Sequence, residues 1–137
     1  MVGFIMEFVV LGTPRTAQTK SPKSRADWRD RVAVAARGAR GVGTAPIGGE
    51  VSVSITYFHV DDSIIDADNI IKPVLDASND ILWYDDFQVT EVKSRRSRVI
   101  SGFTPINPSS ALLRALNDHQ QFLWVRIYGP PNHEEVR

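Results

Sequence analysis

From Glu50 to Val60 the chain alternates: Val51, Val53, Ile55 and Tyr57 interleave with Ser52, Ser54 and Thr56. That period of two predicts a strand with one buried face. Glu7 to Leu11 is β-rich and is closed by Gly12-Thr13-Pro14. Thr16 to Ser24 is polar and basic and reads as an exposed loop. Ser24 can cap a helix running to about Ala39, with Trp28, Val32, Ala35 and Ala36 on one face and Arg25, Arg29, Arg37 and Arg40 on another. Gly38, Gly41, Gly43 and the stretch from Pro46 to Gly49 break that pattern. A second helix is predicted over about Asn69 to Asp80, burying Ile70, Ile71, Val74 and Leu75. Pro73 conflicts with it unless the helix starts late or bends, because proline is tolerated only in a first turn.

Gln88 to Ile100 reads as a strand with one charged face. Asn107-Pro108 suits the start of a short helix carrying Leu112, Leu113 and Leu116. Phe122 to Tyr128 is a closing strand, and 130–137 reads as a loose tail. No repeat or heptad seam is present. The string β-α-β-α-β-α-β predicts an α+β fold over 1–137: one small domain with a mixed β-sheet and two or three helices.

Composition narrows the chemistry. At 137 residues, 42% hydrophobic and 23% charged, the chain has the size and make-up of one globular domain. It has no cysteine, which removes disulfides, thiolate zinc sites and cysteine nucleophiles and agrees with a reducing compartment. The apolar start MVGFIMEFVVLG is interrupted by Glu7 and is too short to span a bilayer, so a first strand is expected rather than a leader, and Met6 is a possible start.

Net charge is zero, but it is segregated. Thr13 to Arg40 holds eight Lys/Arg against two Asp, and Asp61 to Glu91 holds nine acids against Lys72 alone. Lys93, Arg95, Arg96 and Arg98 follow. These blocks suit an acidic metal centre flanked by surfaces that grip a polyanion; the alternative is ordinary solvated charge.

The readable chemistry lies between Ile64 and Val89. Asp66 and Asp68 stand two apart, Lys72 follows, and Asp85-Asp86 come after the helix. In an extended segment, residues i and i+2 project to one side, so Asp66 and Asp68 can share a cation. The competing reading is that Asp68 or Asn69 merely caps a helix, and that Asp85-Asp86 form a polar turn. Lys72 can pair with Asp68 or Asp76 within the helix, or meet a phosphate as a compact charge. An oxygen-only site suits Mg²⁺ or Mn²⁺. A calcium loop fails, since Ile70, Ile71 and Ala77 occupy its required positions. His59, His119 and His133 lack zinc spacing, and neither a phosphate-binding glycine loop nor a serine elbow is present.

The ordered set Asp66-x-Asp68-Asn69-x-x-Lys72, then Asp76, then Asp85-Asp86-x-Gln88-Val89 resembles the signature of the RusA family of Holliday-junction resolvases. Outside it the likeness is looser: an opening strand ending in Gly12 and Pro14, a basic loop, and a helix with Trp28. The resemblance implies a homodimeric, Mg²⁺-dependent endonuclease of bacteria and phages, cytoplasmic, that makes paired nicks in four-way DNA junctions during recombination and repair. It implies Asp66, Asp68 and Asp86 as metal-linked carboxylates and Lys72 as the essential lysine. Asp85 stays open as a ligand, and Asp76 becomes a supporting residue on the helix. Expected DNA contacts are Arg15, Lys20, Lys23, Arg25, Arg29, Lys93, Arg95 and Arg96.

Two stretches depart from the family pattern. Asp61-Asp62-Ser63-Ile64-Ile65 stands where arginines are expected, and Ser101 to Gln121 is longer than the minimal pattern, which suggests a dimer element. A non-catalytic DNA-binding dimer and a nuclease for flaps or single strands are the alternative functions.

Overall fold

The computed structural model describes residues 3–16, 18–60, 65–99, 108–118 and 120–129. Four strands, β1 (Phe4–Leu11), β2 (Val51–His59), β3 (Val89–Arg98) and β4 (Phe122–Tyr128), form one mixed sheet in the order β1-β4-β2-β3. The last strand in sequence is therefore internal, antiparallel to both β1 and β2, while β3 runs parallel to β2 at the edge. Among the described residues three helices accompany the sheet: α1 (Pro22–Arg40), α2 (Ile71–Ser78) and α3 (Ser110–Asn117). The expected α+β class is the observed one.

Alternation decides which face is which. Val51, Val53, Ile55 and Tyr57 of β2 are buried with Leu123, Val125 and Ile127 of β4 and Phe8 and Val10 of β1. Trp28, Val32 and Ala36 of α1 and Ile70 and Val74 of α2 close over them. A smaller cluster on the opposite face joins Phe58 and Phe122, whose rings stack with centroids 4.9 Å apart, to Leu112 and Ala115 of α3. The buried side of the leucine helix thus packs within the chain, and Leu113 is its exposed leucine.

Several boundaries move. The N-cap of α1 is Ser21, whose Oγ accepts from the Ser24 N–H at 3.2 Å, not Ser24. Pro22 then sits at the first helical position, where its missing N–H costs nothing. For α3 the cap is Ser109, whose Oγ accepts from the Leu112 N–H at 3.1 Å and donates to Glu7 at 2.5 Å. Asn107, the expected cap, lies outside the described residues, as does 130–137. The α2 conflict resolves as a late start: a 3-10 turn, Ala67–Ile70, precedes the α-helix, which puts Pro73 in its first turn. No helix among the described residues is long and apolar enough to cross a membrane.

Candidate active site

Asp66 is the N-cap residue of the 3-10 turn, yet its carboxylate makes no capping bond. Asp68 lies inside that turn, and both side chains are exposed. The chain is extended at Asp66 and winds from Ala67 onward, so the expected i, i+2 extended pair is replaced by a corner. The corner is docked on β3, where Ser94 Oγ donates to the Ala67 carbonyl at 2.6 Å.

Asp85 and Asp86 differ. Asp85 caps a second 3-10 turn (Asp86–Gln88), its Oδ1 accepting from the Phe87 N–H at 3.2 Å. Gln88 Oε1 accepts from the N–H groups of Tyr84 (2.7 Å) and Asp85 (3.1 Å), while its Nε2 donates to the Ile47 (2.7 Å) and Gly49 (2.8 Å) carbonyls. One side-chain amide therefore ties the turn to the segment entering β2. Sequence reasoning matched Gln88 to the motif but missed this role. The signal was available as Asp85 followed by glutamine at capping-box spacing. With Asp85 engaged, Asp86 remains: it is half-buried, and its Oδ1 is buried with no hydrogen-bond partner. A buried carboxylate oxygen without a donor is costly, and a hard cation would satisfy it.

The acidic groups do not form a ready-made cage. Among the described residues no three His, Asp or Glu side chains lie close enough to hold a metal ion. The Asp66 corner docks at Ser94, while Asp86 opens the turn that leads through Phe87 and Gln88 into β3 at Val89. Oxygen-only donors with free acceptor capacity still fit Mg²⁺, which keeps several waters and takes one or two protein carboxylates plus substrate phosphates.

Lys72 pairs with Asp76, Nζ to Oδ1 at 3.2 Å, rather than with Asp68, and 71% of its side chain is exposed. It lines a cleft of about 300 Å³ with Arg15, Thr16, Arg25, Arg29, Pro73 and Asp76. Arg25 Nη1 donates to the Thr19 carbonyl and so anchors the basic loop beside α1. Three of the expected DNA contacts thus converge with the lysine.

The others fall elsewhere. Lys20 is exposed on the loop. Lys23 lies 2.9 Å from Asp27, whose hydrogen bond and charge raise its ammonium pKa above the usual 10.5. Lys93 and Arg95 stand in register with Ser54 and Thr56, on the sheet face away from α1 and α2, whereas Arg96 pairs with Tyr57 on the helical side. Arg31 and Arg40, on the same helix as Arg25, bond the Leu11 (2.9 Å) and Ile81 (3.2 Å) carbonyls and serve the fold. His59 is buried, with its ring 5.5 Å from that of Tyr57, as a packed residue; His119 and His133 lie outside the described residues, as do Asp61 to Ile64.

No curated protein matches the chain significantly. The family model for endodeoxyribonuclease RusA matches residues 10–103, from within β1 to past the end of β3, and so takes in every carboxylate and lysine of the site. With that match over most of its length, the chain belongs to the RusA family of Holliday-junction endodeoxyribonucleases.

Proposed function

We propose that the chain is a Mg²⁺-dependent, structure-selective endonuclease that resolves four-way DNA junctions by paired nicks in recombination and repair, acting as a homodimer in the cytoplasm of a bacterium or phage host. The observation that carries this reading is the cleft where Lys72 stands with Arg15, Arg25 and Arg29, because four cations around one concavity suit a phosphodiester backbone. Asp86, with its unpartnered buried oxygen, and the uncapped Asp66 and exposed Asp68 are the proposed holders of the ion. Mg²⁺ can be replaced by Mn²⁺ in such an oxygen-donor site. When bound, the ion would supply an activated water and neutralise charge on the phosphoryl oxygens.

The chain's own residues do the rest. Lys72 meets the scissile phosphate from the cleft side and stabilises the charge that grows on it during in-line attack. Arg15, Arg25 and Arg29 hold the flanking backbone. Asp76 keeps the lysine extended along the helix surface, and Asp85 with Gln88 fixes the turn that presents Asp86. Two such sites related by a two-fold axis would face two opposed strands, which is the symmetry a junction offers.

The test is incubation of purified protein with labelled four-way junction, duplex and flap DNA, with and without Mg²⁺. Symmetric nicks in the junction alone, only with the ion, are expected; equal cutting of flaps overturns the selectivity. The absence of a three-carboxylate group among the described residues favours a second reading, a branched-DNA-binding dimer without catalysis. That reading requires junction binding indifferent to Mg²⁺ and no scission.

A further inference from the structure

The sheet face turned away from α1 and α2 is only partly covered. Phe58 and Phe122 pack under α3 at one end. At the other, Ser52, Ser54, Glu91, Lys93, Arg126 and Tyr128 line a cleft of about 380 Å³. Register explains the grouping. Ser54 of β2 pairs with Lys93 on one side and Arg126 on the other, so one row across three strands reads Lys93–Ser54–Arg126. The row beside it reads Glu91–Ser52–Tyr128, and the next Arg95–Thr56–Trp124.

Arg126 is prepared for an anion. Its guanidinium lies 4.0 Å from the Trp124 ring centroid and 5.9 Å from that of Tyr128, and its Nη2 donates to Ser54 Oγ at 3.2 Å. Stacking of this kind orders the side chain before any ligand arrives. Its Nε is buried without a hydrogen-bond partner, and it forms no salt bridge among the described residues. The nearest acid in register, Glu7, accepts from Ser109 and from Trp124 Nε1 (3.0 Å) instead. Glu91 approaches Lys93 only to 3.6 Å, with both side chains exposed, a pair that holds its lysine weakly. Arg95 Nε reaches only Thr56 Oγ1, at 3.4 Å. Among the described residues this face therefore carries three cations against two carboxylates, with one carboxylate already engaged by hydroxyl and indole donors.

We propose that this face is a second DNA-backbone site, and that it grips a different arm of the branched substrate from the arm held at the Lys72 cleft. Ser52 and Ser54 hydroxyls beside Lys93 and Arg126 are the donor types that meet phosphate and sugar. The two clefts open on opposite sides of one sheet, so a single straight duplex cannot fill both, whereas two arms leaving a branch point can. The inference rests on the proposed nuclease function and gives it a source of selectivity.

The test compares wild type with Lys93→Glu, Arg126→Met and the double variant by fluorescence anisotropy on four-way junction and on linear duplex, across NaCl concentrations. Arg126→Met keeps the aliphatic stem against Trp124, and Lys93 is exposed enough for its replacement to leave the fold intact; melting by circular dichroism checks both. For the Arg126→Met/Lys93→Glu protein, the slope of log affinity against log salt on junction should fall by roughly two, while duplex binding falls less. An unchanged junction slope overturns the second site, as does equal weakening on both DNAs. A change in mass by light scattering also overturns it, assigning the face to contacts between copies. Should Arg126→Met fail to fold, Lys93→Glu alone must still lower the junction slope. If wild type binds neither DNA, the nuclease reading itself has failed. If wild type nicks normally and only these variants behave as wild type, the second site alone has failed.

Discussion

Asp85 and Asp86 are chemically identical neighbours, and the turn gives them different surroundings: one carboxylate accepts a backbone N–H, the other holds an oxygen buried and unpartnered. Asp85→Ala should therefore cost about 1 kcal/mol as a lost cap, read as a lower melting temperature, with cleavage reduced only through the turn. Asp86→Asn should abolish cleavage while the protein keeps its melting temperature and its affinity for branched DNA. Full Mg²⁺-dependent nicking by Asp86→Asn would remove it from the ion site. At Lys72, the exposed pair with Asp76 is worth about 0.5 kcal/mol or less, so Lys72→Ala should leave stability nearly untouched. Its effect belongs in turnover, which should fall more than junction affinity does; equal losses in both would make it a binding lysine.

Among the elements, the turn Asp86–Gln88 depends on one side chain. Gln88 satisfies two N–H groups and two carbonyls at once, and Gln88→Ala leaves all four to find water. Because the site is partly exposed, the expected loss is about 1–2 kcal/mol, measured by urea denaturation, together with reduced nicking because Asp86 is no longer held. Nicking at the wild-type rate by a destabilised Gln88→Ala protein would separate the turn from the chemistry. Gly12, at the end of β1, shows a backbone constraint of the same local kind. Its φ is +112°, and a Cβ there would stand 2.8 Å from the Arg31 Nη1 that bonds the Leu11 carbonyl. The β2 and β4 patterns were legible because alternation is a property of each strand alone; β4 is Phe122–Tyr128 both by sequence and in the structure. The helix starts were less so, because Ser21, Ser24, Asn107 and Ser109 are all competent caps and packing selects among them.

For the whole molecule, the position of β4 matters most. It lies between β1 and β2 although it comes last, and it lies beyond the residues 10–103 matched by the family model. Deleting Phe122–Tyr128 should therefore abolish the cooperative thermal transition seen by circular dichroism, since β1 loses its neighbour and β2 loses one of two. A cooperative melt in the truncated protein would show that the remaining strands pair without it.

Sequence by itself determined which stretches are strand and which are helix, since periodicity is local and needs no partner, and the motif from Asp66 to Val89 carried the family resemblance that the family model bears out. Tertiary structure alone decided that Arg15, Arg25 and Arg29 meet Lys72 in one cleft while Lys93 and Arg95 face the other side with Arg126. It also decided that Asp85 is a cap. The reason is physical: which side of a sheet a charge reaches depends on strand register and on which strand lies beside it, and residues dozens of positions apart settle both.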